Sequence, residues 1–253
     1  MRTNALMMRA LICATTAVVA TTGLGSSATA ATSTMSSRYL LNHLRSASEH
    51  PAGYDRGKFT MWADVDHDGC DTRDEVLMAE ARGEVTVHAG CDLRGGTWRS
   101  RYDGISTSDP SSFDIDHMVP LNEAWQSGAW RWSAGTRKAY ANDLGYSASL
   151  IAVSAHQNRS KGDREPQAWM PQRRAYACTY VKRWVAVKWR WQLKVNATER
   201  SFLASELRAC GWPSVATPSR PAITSGSRSR GGSGGGTGGG STHAVGYAVH
   251  PGG

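Results

Sequence analysis

From Phe113 to Val119 the chain alternates in character. Phe113 and Ile115 are apolar, Asp114 and Asp116 are acidic, and His117 follows. Alternation with period two marks a half-buried strand. The next apolar run is short, Leu150–Val153, and Ser154 after it caps a helix running through Asn158. This order of strand, long loop, short strand and helix constrains the fold more than any other feature. The first strand delivers the Asp116 carboxylate and the His117 imidazole to opposite sides of its backbone. The helix then returns Asn158, an oxygen ligand, towards the carboxylate.

The rest of the chain predicts an α+β protein built around that unit. Ser36 and Ser37 cap a first helix with Tyr39, Leu40, Leu41 and Leu44 on one side. A second helix starts near Thr72, turns Val76 and Leu77 inward and ends at Gly83, with Thr72 and Glu75 as its capping box. Strand-like runs follow at 84–88 and 97–102, separated by a turn at Gly95-Gly96. Residues 121–132 and 136–144 read as helices. Pro171 opens a long helix with Cys178, Val181, Val185 and Trp189 on one face. Asn196 with Glu199 caps a last helix presenting Leu203, Leu207 and Cys210. Trp184, Trp189 and Trp191 recur at helical spacing and read as core rather than as a base-stacking surface.

Both ends differ from the middle. Arg2 and Arg9 precede an apolar run to about Gly25, and Ala28 and Ala30 fit an export cleavage site. Residues 1–30 therefore read as a signal peptide, and the mature protein as secreted, with no membrane contact after cleavage. From 214 to 253 the chain is rich in Gly, Ser and Thr and carries no acid, so this stretch reads as a disordered tail. The domain between is 31–213. The two ends hold five of the 29 basic side chains and none of the 21 acids, so that domain is only mildly basic. No later stretch approaches the roughly 20 apolar residues of a membrane span.

Cys13 falls in the signal segment, which leaves Cys70, Cys91, Cys178 and Cys210. An even number in an exported chain reads as two disulfides, with three connectivities open. Proximity favours Cys70–Cys91 and Cys178–Cys210, the second clasping the two C-terminal helices. No Cys-x-x-Cys pair and no His at ligand spacing supports a zinc site instead.

A longer run surrounds the Asp-His pair. It comprises Asp116-His117-Met118-Val119-Pro120-Leu121-Asn122-Glu123-Ala124-Trp125, then Tyr140-Ala141-Asn142-Asp143-Leu144 and Leu150-Ile151-Ala152-Val153-Ser154. It ends in Asn158-Arg159-Ser160-Lys161-Gly162-Asp163 and Trp169-Met170-Pro171, with Cys70-Asp71-Thr72-Arg73-Asp74-Glu75-Val76-Leu77 upstream. The pattern resembles HNH nucleases in their His-Asn-Asn form, and most closely the secreted bacterial HNH endonuclease-family proteins related to the C-terminal domain of GmrSD-type restriction enzymes.

The resemblance implies a ββα-metal core, about 111–170, with surrounding helices and a small N-terminal α/β extension. It implies that His117 is the general base, since a neutral imidazole suits that task. Asp116 and Asn158 would hold one divalent ion, Mg²⁺ first and Mn²⁺ or another second, because their ligand atoms are hard oxygens. Asn142 is the candidate for the middle Asn that pins the loop, with Asn122 as the substitute. Lys161 lies on the Asn158 side of the helix and is a candidate phosphate contact, whereas His156 falls on the opposite face. The expected protein is a monomeric secreted endonuclease acting on DNA, with RNA as a second candidate substrate, and with little sequence specificity. The alternative is a non-catalytic calcium- or polyanion-binding module. For that reading, Asp64, Asp66, Asp68, Gly69 and Glu75 fit a calcium-loop pattern.

Overall fold

The computed structural model describes residues 33–226. The signal-peptide expectation and the tail from residue 227 onward lie outside the described residues. The elements in chain order are β1 (Thr34–Ser36), α1 (Ser37–His43), α2 (Thr72–Glu80), β2 (Arg82–His88), β3 (Asp92–Arg99), β4 (Ser106–Thr107) and β5 (Phe113–His117). They continue with α3 (Leu121–Gln126), α4 (Ala134–Ala141), β6 (Leu150–Ser154), α5 (Ala155–Lys161), α6 (Ala177–Arg190), α7 (Ala197–Ala209) and β7 (Ser214–Ala216). Among the described residues the strands form three small antiparallel sheets, β1-β7, β2-β3-β4 and β5-β6. The class is α+β.

The β5-β6 pair separates two cores. On one side Phe113, Ile115, Leu150 and Ala152 pack against Val76, Leu77, Leu93, Trp98 and the Cys70–Cys91 disulfide. On the other, Ile151 and Val153 join the larger core, in which Tyr180, Val181, Trp184 and Val185 of α6 meet Leu203 and Leu207 of α7. Cys178–Cys210 ties α6 to the end of α7, with Cα atoms 5.7 Å apart against 5.1 Å for Cys70–Cys91. Both pairings match the sequence expectation. Trp184 and Trp191 are buried, as expected of core residues.

The larger core also holds charge. Lys188 is fully buried and donates to Glu123 Oε1 at 2.7 Å, Glu199 Oε2 at 2.5 Å and the Lys194 carbonyl at 3.0 Å. Arg190 grips Asp143 through two bonds of 2.7 and 2.8 Å, and the Trp191 indole donates to the same carboxylate at 2.8 Å. Such buried charges persist only when they are paired and hydrogen-bonded.

Several boundaries differ from the sequence reading for local reasons. The cap of α2 is Asp71, boxed with Asp74, one residue before Thr72 and Glu75. The hairpin turns at Ala89-Gly90-Cys91, and Gly95-Gly96 lie inside β3. Both glycines have positive φ, and a Cβ on Gly96 would lie 2.7 Å from Val85 Cγ2, so they serve the irregular register between Arg82 and Val85. The strand ends at Arg99, and Tyr102 turns into the core. Helix α3 stops at Gln126, before Gly128 with φ of 152°. Helix α4 stops at Ala141, because Asn142 leaves helical geometry. Helix α6 begins at Ala177, after a 3₁₀ turn at Arg174–Tyr176, and not at Pro171. Tyr39 is exposed, while Leu40, Leu41 and Leu44 are buried. The Glu199 carboxylate does not return to the α7 cap but accepts from Trp184 and Lys188.

The domain boundary at 213 is also corrected. Strand β7 pairs with β1, with Met35 opposite Val215, and Val215 is buried. Further on, the Ser133 amide donates to the Thr224 carbonyl at 2.8 Å, and Arg190 donates to Ser219 Oγ at 2.7 Å. Residues 214–226 are thus part of the ordered body. Composition missed this because their partners lie far away in sequence.

Two disulfides closing loops of 21 and 32 residues predict a large redox effect, roughly 2–4 kcal/mol each. Full reduction is expected to lower the melting temperature by about 10–20 °C. Calorimetry with and without reductant, alongside a peptide map of the oxidised protein, checks both the size and the pairing.

Candidate active site

The register of the β5-β6 pair orients the candidate residues. Asp116 faces Ile151, His117 faces Leu150 and Asp114 faces Val153. Opposed residues share a face of an antiparallel sheet. Asp114 and Asp116 therefore point towards the larger core, and Ile115 and His117 towards the smaller one. At the end of the strand, Asp116 and His117 line a cleft of about 260 Å³ together with Arg56, Ile115, Pro120, Leu121, Asn158, Arg159, Gly162 and Asp163.

His117 is 6% exposed, and its Nε2 lies 2.9 Å from the Ala141 carbonyl. A carbonyl only accepts, so Nε2 carries the proton and Nδ1 keeps its lone pair. Burial pushes the imidazole pKa down to about 4, with the Arg56 and Lys161 charges adding to the effect against the Ala141 bond. The ring is neutral at physiological pH. Tyr140 stacks at 6.2 Å from it and Trp62 lies at 6.0 Å on a tilted plane.

Asn142 directly follows Ala141, whose carbonyl meets His117. Its Nδ2 donates to Thr60 O at 2.6 Å and Lys138 O at 2.8 Å, and its Oδ1 accepts from the Ala63 amide at 2.9 Å. These bonds pin residues 60–63 to the end of α4, one residue from Ala141. Within that segment Trp62 has φ of 55°, a left-handed conformation costing roughly 1–2 kcal/mol for a residue with a Cβ. Asn122 is elsewhere, bonded to Asp163 at 3.4 Å and Gln126 at 3.3 Å.

Asp116 and Asn158 line the same cleft without bonding each other. Asn158 Nδ2 donates to Asp114 Oδ2 at 3.1 Å. Asp116 Oδ2 accepts from the Tyr102 hydroxyl and from Lys161 Nζ, each at 2.6 Å. Lys161 is fully buried, and its remaining protons go to the carbonyls of His117 at 2.7 Å and Met118 at 3.1 Å. With every donor committed, it cannot reach a phosphate in the cleft, and the expected substrate contact is corrected to a buried partner of Asp116. His156 is exposed on the far side of α5.

Sequence reasoning missed Asp114, Tyr102, Arg56 and Arg159. Asp114 had a signal, since it sits two residues from Asp116 on the same strand face. Arg159 follows Asn158 directly and lies 3.9 Å from Asp114. Arg56 and Tyr102 reach the cleft and its floor from distant segments, and no local pattern marks them.

The Asp64, Asp66 and Asp68 carboxylates converge to within 4.8 Å of one another. Asp64 accepts from the amides of His67 at 2.7 Å and Gly69 at 3.2 Å, and Asp68 from that of Cys70 at 2.8 Å. Since Asp71 and Asp74 form the α2 capping box, Glu75 has no capping role. Partial burial, and then Asp68, Asp66, Asp74 and Asp64, push its carboxyl pKa up.

The chain belongs to the family of GmrSD restriction endonucleases, C-terminal domain, whose pattern it matches over residues 74–205. That span contains the whole β5-β6-α5 unit, Asn142 and Lys161, and leaves Arg56 and the Asp64–Asp68 loop outside it. The chain is similar to an uncharacterized secreted protein of Arthroderma benhamiae, 41% identical over 158 residues, which cover 62% of this chain and 76% of the relative. A secreted relative agrees with the expectation of a secreted protein. No solved structure matches with significance. The family makes this a nuclease-related protein, of a type associated with a divalent metal ion. Among the described residues no helix is long and apolar enough to cross a membrane.

The two asparagines differ in how much backbone they hold. Asn142→Ala strips partners from three backbone groups and is expected to cost about 2–4 kcal/mol. Asn122→Ala is expected to stay within about 0.5 kcal/mol of the parent. Urea denaturation of the two variants measures both.

Proposed function

We propose that the protein is a secreted, metal-dependent endonuclease that hydrolyses phosphodiester bonds in DNA, and in RNA as a second substrate. The observation that carries this reading is a buried, neutral His117 held by Ala141 through Nε2, in one cleft with Asp116 and Asn158. In this reading Nδ1 takes the proton of the attacking water as its oxygen bonds to phosphorus. The bond to the 3′-oxygen breaks and the oxyanion takes a proton from solvent water, leaving a 3′-hydroxyl and a 5′-phosphate. His117 is the general base and Asn142 a positioning residue that keeps Ala141 in place.

The donor set fits a hard divalent ion, Mg²⁺ first and Mn²⁺ second. Asp116 and Asn158 offer oxygen, and an open cleft leaves coordination positions for water and phosphate. When bound, the ion would polarise the phosphate and stabilise charge on the leaving oxygen. Arg56 and Arg159, both exposed at the cleft, take the phosphate-binding role that Lys161 cannot fill. Contacts of this kind address the backbone and not base edges, in keeping with low sequence specificity. The proposed active unit is a monomer.

The test is supercoiled plasmid incubated with mature protein and Mg²⁺, with and without chelator. Nicking that the chelator blocks is expected, and intact plasmid across several divalent ions overturns the reading. His117→Ala is expected to lower turnover by about 10²–10⁴-fold while retaining metal affinity. Asp116→Ala and Asn158→Ala are expected to lose both. Arg56→Ala and Arg159→Ala should each weaken DNA binding and reduce its salt dependence by about one unit of log–log slope, read by fluorescence anisotropy.

A further inference from the structure

Lys161 and Tyr102 lie beneath the cleft, and both act on one atom. Asp116 Oδ2 accepts the Tyr102 hydroxyl and the Lys161 ammonium, each at 2.6 Å. Both donors are 0% exposed, and the ammonium sits within about 6 Å of the Tyr102, Tyr180 and Trp184 rings. Among the described residues nothing donates to Asp116 Oδ1, although Asp116 lines the cleft. Lys161 also holds the carbonyls of His117 and Met118. It lies three residues from Asn158 on α5, and that spacing puts both on one side of the helix.

We propose that Lys161 and Tyr102 are positioning residues that clamp Asp116 Oδ2 and present Oδ1 to the ion as a single-oxygen ligand, in fixed register with Asn158. The inference rests on the metal-dependent reading above. A free carboxylate can chelate through both oxygens or swing between rotamers. With Oδ2 held by two buried donors, one oxygen remains for the cleft. The nearby ammonium offsets the carboxylate charge, so the protein alone holds the ion weakly and leaves coordination to substrate phosphate. One turn of α5 carries both the ligand Asn158 and the clamp Lys161, so the spacing between the two ligands is built into the helix.

The decisive variant is Tyr102→Phe, which removes one donor and keeps the ring. Mn²⁺ affinity without DNA, measured by electron paramagnetic resonance, is expected to change roughly 10-fold, and kcat on plasmid to fall by a similar factor, as for other partners of metal ligands. KM for DNA should stay within about twofold, since no phosphate contact is lost. Lys161→Met should change Mn²⁺ affinity and kcat at least as much if it folds, and Tyr102→Phe carries the test if it does not. A Tyr102→Phe protein with a lowered melting temperature but unchanged Mn²⁺ affinity and kcat overturns the clamp and makes the pair merely structural. That result, beside a wild-type protein that binds Mn²⁺ and cleaves, leaves the nuclease reading standing. Wild-type protein that neither binds Mn²⁺ nor cleaves overturns both.

Discussion

The ammonium of Lys161, sealed from solvent and bonded to Asp116, His117 and Met118, is the constraint around which the rest of the site is arranged. Desolvating an ammonium and a carboxylate costs several kcal/mol each, and removing one partner of such a pair costs about 3–5 kcal/mol. That is a large share of the net 5–15 kcal/mol that holds a typical domain together. The arrangement survives because all three protons of Lys161 find oxygen and Asp116 gains a second donor in Tyr102. One interaction thus fixes the helix α5 against the strand β5 and sets the orientation of a candidate metal ligand.

The same device recurs away from the cleft. Lys188 joins Glu123 of α3 to Glu199 of α7, and Arg190 joins α6 to Asp143 in the segment before β6. Apolar burial supplies the driving force but is non-directional. Hydrogen-bonded ion pairs add direction, since each tolerates one register of its helices. Through Glu123 this network holds α3, whose first residue, Leu121, forms part of the cleft wall. The disulfides act differently, restricting the unfolded chain rather than orienting the folded one.

At His117 the surroundings fix one protonation state and one tautomer. Burial keeps the imidazole neutral, and the Ala141 carbonyl selects its tautomer. The left-handed Trp62 beside it is the kind of local strain that persists when surrounding bonds over-determine a loop. Here those bonds are the ones Asn142 makes to Thr60 and Ala63.

The sequence by itself determined the elements whose signals are local. Alternation at Phe113–His117, the Ser154 cap, the Asn196 cap and the spacing of Val181, Val185, Leu203 and Leu207 read directly as strand and helix. Short loop closures gave both disulfides, and the run from Asp116 to Asp163 gave the family. The tertiary structure alone decided which polar groups are spent inside and which remain for chemistry. Lys161 reads as a candidate phosphate contact until Tyr102, Tyr180 and Trp184 close around it. Glu199 reads as a cap until Lys188 arrives from another helix, and Ser214–Ala216 reads as tail until β1 pairs with it. In each case the partner comes from a distant part of the chain. Burial and pairing are properties of three-dimensional neighbours, and a local pattern carries no record of them.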